Sequence, residues 1–137
     1  MATAAELVES GRAARNAGMR KEALDFYRNA AELYRADGEL SKWAHSRRHC
    51  AAIEVQLGDG MSALKSISEV YEFYETDPPS PLELANTYRV GAMAHEAVGE
   101  PWKAERHWLE ALALYTTVNV QAGVDEAIVH LKALGVG

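Results

Sequence analysis

His45 and His49 stand four residues apart with Cys50 directly behind them, and on a helix that spacing puts both imidazoles on one face. Two imidazoles so placed could share a metal ion, and zinc is the usual occupant of a His and Cys set. Zinc needs a third and a fourth ligand, however, and the sequence places neither. Cys50, next in sequence to His49, points away from the pair. No metal and no cofactor are therefore expected, and the two histidines read as groove or surface residues. A second set is made of Arg12, Arg15, Arg48 and Arg89. A guanidinium forks onto two carboxylate oxygens at once, so a row of them suits an acidic ligand. Catalytic patterns are missing: the chain has no G-x-S-x-G, no H-E-x-x-H and no glycine-rich phosphate loop. Sequence neighbours such as His95 with Glu96, or Glu105 with His107, diverge on a helix. The expectation is a binding protein, not an enzyme.

Those residues belong to a chain of 137, with 48% apolar and 25% charged residues, which is an ordinary composition for one globular domain. Lys and Arg number 14 against 20 Asp and Glu, giving a net charge of −6. That balance argues against phosphate backbones and anionic lipid as partners, so no nucleic acid and no membrane are expected. One cysteine cannot form an internal disulfide. The start lacks a basic region followed by an apolar one, and no run approaches the ~18 apolar residues of a membrane span. A cytoplasmic location is the expectation.

Three segments repeat: GMRKEALDFYRNAAELY from Gly18, GDGMSALKSISEVYEFY from Gly58 and GEPWKAERHWLEALALY from Gly99. Aligned columns hold Ala23, Ala63 and Ala104; Tyr27, Ile67 and Trp108; Ala30, Val70 and Ala111; Leu33, Phe73 and Leu114; and Tyr34, Tyr74 and Tyr115. Every column steps by 40 and then 41 residues. Spacings of four and three trace one helical face, where the small residue admits a neighbouring backbone and the large one fills the groove beside it. Upstream of each glycine runs another helical stretch, 4–17, 41–57 and 82–98. Thr3 with Glu6 and Ser80 with Glu83 read as capping boxes, and Pro81 fits a first helical position. Each unit is thus expected to be an antiparallel helix hairpin closed by a glycine turn. The units span about 3–37, 39–77 and 80–116. A capping helix is expected over about 119–134, with Val120, Val124, Ile128, Leu131 and Leu134 on its apolar stripe.

Gly99, Ala104, Trp108 and Ala111, with Tyr88 and Ala92 before them, resemble the tetratricopeptide repeat pattern, as do Leu7, Gly11, Gly18, Ala23, Tyr27 and Ala30. The period is longer than the ~34 residues of that family, and its closing proline is missing. The resemblance implies an all-α, right-handed α-solenoid of three hairpins plus the cap, and a protein-interaction scaffold that binds on its concave side. The groove residues it implies, opposite the alanine columns, include Arg12, Arg15, Asn16, His45, Arg48, His49, Asn86 and Arg89, with Glu96 their lone acid. Val8, Asn86 and Val90 stand where the family's carboxylate clamp carries basic residues, so that clamp is not expected. The expected ligand is an acidic peptide or a C-terminal carboxylate in a basic groove. Charges look sorted by face in the middle unit, with Lys42, Arg47 and Arg48 on its first helix and Glu69, Glu72 and Glu75 on its second. The competing reading makes the arginines solvated faces and internal ion-pair partners. Trp43 and Trp102, near helix starts and off the packed columns, are expected as partly exposed anchors for a partner or for a homodimer. A small-molecule or metal site at His45 and His49 is the remaining alternative.

Overall fold

The computed structural model describes residues 1–135. They form seven α-helices and, among the described residues, no strand. The helices are α1 (Ala4–Asn16), α2 (Arg20–Ala36), α3 (Leu40–Gln56), α4 (Gly60–Thr76), α5 (Pro81–Ala97), α6 (Pro101–Thr117) and α7 (Gln121–Ala133). Each packs on the next, and α3 also touches α5. No helix is long and apolar enough to cross a membrane.

One turn connects almost every pair. After α1 the amide of Gly18 donates to Arg15 O and that of Met19 to Ala14 O, at 3.0 and 2.8 Å, which satisfies carbonyls the helix end leaves free. The same bonds recur around Gly38, Gly58, Gly99 and Asn119, each at a positive φ. The left-handed conformation these turns demand explains the glycine at four of the five, and asparagine, at the fifth, is the side-chain-bearing residue that tolerates it best. The exception is Asp77-Pro78-Pro79-Ser80, where prolines cannot supply the amides of such a turn. Here α5 starts afresh, with Ser80 Oγ accepting from the amide of Glu83 at 3.2 Å and Pro81 in the first helical position. At the N-terminus Thr3 and Glu6 form the complete reciprocal box.

The alanine columns are fully buried, as are Tyr27, Ile67, Val70 and Trp108. The core is a succession of patches between neighbouring helices, each with an aromatic or β-branched residue against alanines. Leu33 departs from its column and lies at the surface. The tail also differs from expectation: α7 buries Gly123, Ala127 and Leu131, while Ile128 and Val129 face outward. Small residues win that face because the rings of Trp108 and Tyr115 in α6 occupy the space beside it.

Candidate functional site

Side chains from α1, α3 and α5 meet in one chain of polar contacts. Arg15 Nη1 donates to His49 Nδ1 at 3.2 Å, and the Nε2 atoms of His49 and His45 lie 3.2 Å apart. His45 Nδ1 lies 3.4 Å from Glu83 Oε2, and Arg48 Nη2 lies 3.5 Å from that same oxygen. A guanidinium only donates, so His49 accepts at Nδ1 and carries its proton on Nε2. His45 Nδ1 faces a donor and an acceptor at once, Arg48 Nη2 at 3.2 Å and Glu83 Oε2 at 3.4 Å.

The charge states follow from this arrangement. Burial, then the neighbouring Arg48, His45 and Arg15, push the His49 pKa down to about 3, so the ring stays neutral. Tyr27 stacks on it with centroids 4.9 Å apart. Hydrogen bonding from His45, with help from Arg48, holds the Glu83 carboxyl below its ordinary value. Further along α5, Arg89 grips Glu126 of α7 through Nε and Nη2, the second bond measuring 3.0 Å. Hydrogen bonding to Arg89 lowers the Glu126 pKa. Tyr115 of α6 donates to Asn86 Oδ1 at 2.6 Å beside this pair. Arg15 is the exception among these cations: burial lowers its pKa, and the repulsion of Arg89 and Arg48 adds to that. Among the described residues no carboxylate bonds to it.

The structure therefore brings together Arg15, His45, Arg48 and His49, with Arg89 close enough to be felt electrostatically. Arg12 stays outside, exposed and paired with Glu9, and Asn16 is exposed in the last turn of α1. The expected excess of four arginines over one acid is much reduced, because Glu83 and Glu126 enter the cluster. Glu96 is occupied elsewhere, accepting from Trp108 Nε1 and lying 2.8 Å from His130 Nδ1. The expected sorting of charge by face also fails: Arg47 turns to Glu69 of α4, and Glu54 is buried, accepting from Ser66 Oγ and Arg28. The sequence places Glu83 in the Ser80 capping box, yet it stands three residues before Asn86, on the same face of α5. The carboxylate leaves the cap half-formed in favour of two cationic partners.

Among the described residues no third ligand stands beside the histidine pair. The Nε2 separation is near the ~3.3 Å edge of tetrahedral zinc. Two guanidiniums flank it, though: Arg15 points at Nδ1 of His49 and Arg48 at Nδ1 of His45, the nitrogens that would have to donate a proton outward if the Nε2 atoms held a metal. Among the described residues no group of three or more His, Cys, Asp or Glu could hold an ion. Cys50 is fully buried and burial pushes its thiol up to about 11, so it offers no nucleophile.

The two tryptophans part company. Trp43 is only 8% exposed, edge-on to Phe73 with centroids 5.9 Å apart and beneath Arg35, so it is a packing residue and not an exposed anchor. The start of α3 lies between α2 and α4, which both cover it. Trp102 is 59% exposed, with Lys103 Nζ 5.2 Å from its ring centre. No protein-family model matches this chain, and no curated protein matches it.

Proposed function

We propose that the protein is a tetratricopeptide-like interaction module that binds an acidic peptide segment or a C-terminal carboxylate. In this reading α1–α2, α3–α4 and α5–α6 are three antiparallel hairpins of a right-handed solenoid capped by α7. The ligand lies across α1, α3 and α5, and the protein works in the cytoplasm as a scaffold without catalysis of its own. The observation that carries the reading is Arg15: a half-buried guanidinium, repelled by two others, whose partner is a neutral imidazole. A ligand carboxylate there would replace a weak neutral acceptor with a charge-assisted, bidentate one. Arg48 supports it, being 9% exposed with its Nε buried and unpartnered among the described residues. Arg89 and Asn86 would orient the ligand but are already engaged.

The test is fluorescence anisotropy with labelled peptides rich in Asp and Glu, with free and amidated C-termini. Arg15→Glu should weaken binding by about tenfold or more, the scale of a lost charge-assisted contact. Arg12→Glu, an exposed change outside the cluster, should leave it within about twofold. Equal affinity of the wild-type and Arg15→Glu proteins would remove the assignment. A second reading, self-association, now rests on Trp102 alone, and light scattering over a concentration series decides it.

A further inference from the structure

A different surface, on α4, α5 and α6, has the chemistry to read an extended peptide. Two shallow depressions, of about 410 and 330 Å³, meet at Tyr88 and His107. Tyr88 and His107 are edge to face with centroids 5.6 Å apart, and Tyr71 backs both rings at 5.6 and 5.9 Å. The outcome is an aromatic ridge with a slot on either side. The chain's own Pro78 and Pro79 wall the first slot, and the exposed Trp102 walls the second.

We propose that this surface binds a proline-rich segment of another protein in the polyproline II conformation, one proline in each slot. Three properties of that helix match the surface. It repeats every three residues, so prolines spaced P-x-x-P fall on one side and can straddle a single ridge. Proline rings pack on aromatic faces, and the segment is stiff before it binds, so an open groove can hold it at little entropic cost. Its carbonyls have no internal donors and project outward. The groove supplies donors for them: Trp102 Nε1–H and Tyr88 Oη–H bond to no described residue, whereas Tyr71 Oη and His107 Nδ1 are spent on the carbonyls of Thr87 and Lys103.

Charge sets the direction. At the tryptophan end Lys103 is already paired with Glu100 and Glu110 shares the slot, but Arg106 beside them has no carboxylate bonded among the described residues. At the other end stands Glu75. The segment therefore runs with an acidic residue flanking its prolines near Arg106. Stacked nucleobases, the other common occupant of aromatic platforms, would bring phosphates to a groove edged by Glu75 and Glu110 on a chain of net charge −6.

The experiment uses a synthetic peptide with a P-x-x-P core and a glutamate after the second proline, followed by tryptophan emission and by anisotropy of a labelled copy. Trp43 and Trp108 are buried, so the emission change reports on Trp102. Saturable binding is expected, weakened about tenfold or more by Trp102→Ala and by Tyr88→Ala. Trp102 is exposed, so its removal spares the fold. The same peptide with alanines for prolines should not bind, and Arg15→Glu should have no effect, which separates this surface from the acidic-ligand site. No saturation at millimolar peptide, equal binding of the alanine peptide, or a dimer by light scattering that Trp102→Ala converts to monomer would each overturn the proposal.

Discussion

Replacing Gly123 by alanine is expected to destabilise the protein, although alanine is the better helix former. A Cβ at this position, in the first turn of α7, would lie 2.5–2.6 Å from Cγ, Cδ1 and Cδ2 of Tyr115, where ordinary contact begins at 3.4 Å. The ring cannot swing aside, because Tyr115 is 2% exposed and its hydroxyl is anchored to Asn86 at 2.6 Å. Ring and helix must therefore separate by roughly 0.8–0.9 Å, an overpacking that costs about 1–3 kcal/mol. Helix propensity returns at most about 1 kcal/mol. With the full return the net loss centres on about 1 kcal/mol and reaches about 2, or several degrees of Tm in a domain of this size. Urea denaturation of four proteins tests the reasoning: wild type, Gly123→Ala, Tyr115→Leu and the double variant. Once the ring is gone, the alanine should stabilise by up to about 1 kcal/mol, so the substitution has opposite signs in the two backgrounds and the cycle gives a non-zero coupling. If Gly123→Ala already stabilises the wild type by the full propensity value, α7 does not approach Tyr115 as described. Gly11 faces the Tyr27 ring in the same way at the other end of the molecule, with a Cβ at 2.9 Å.

Two further outcomes are expected. Ser66→Ala removes the 2.9 Å bond to the buried Glu54 and leaves that carboxylate to Arg28 alone, so the urea midpoint should fall by an amount equivalent to about 1–3 kcal/mol; an unchanged midpoint would show that the bond holds nothing. Stability should decline on mild acidification: the unfolded chain protonates His49 near pH 6.5, the folded one only near pH 3, so the contribution is complete above pH 6.5 and lost as pH falls between those values. His49→Gln should make the Tm profile shallower from pH 6.5 to about 4.5, leaving the part due to His107, which burial also holds below its ordinary value, whereas the losses from Glu83 and Glu126, whose pKa values are depressed, appear only below about pH 4.3. A flat wild-type profile above pH 4.5 would contradict the buried, neutral ring.

The helices and most of the buried columns were readable because one period governs both the packing and the residue types. Ala23, Ala63 and Ala104 repeat since each must admit a neighbouring backbone, and that demand leaves its mark on composition alone. Misreadings arose where the demand came from outside the element. Ile128 looks like the core of α7 by hydropathy, but the Tyr115 ring claims that side for Gly123 and its neighbours. Trp43 is covered by α4, which sequence position gave no means of placing. Arg15 lies within electrostatic reach of Arg48 and Arg89. Their acids were missed because Arg48–Glu83 and Arg89–Glu126 join helices that are not consecutive, and no local spacing encodes the register between them.

Cys50 carries a practical consequence. It is the chain's single thiol, sealed among Ala14, Ala23, Leu24, Tyr27 and Ile53 where α1, α2 and α3 converge, and burial suppresses its thiolate. A thiol reagent in solution can react only after those three helices part. The rate of modification thus reads out the free energy of that opening in the unlabelled, unmutated protein, and any ligand that bridges Arg15 and Arg48 should slow the reaction in proportion to its occupancy. The molecule comes with its own clock, set into the helices beneath the site it would report on.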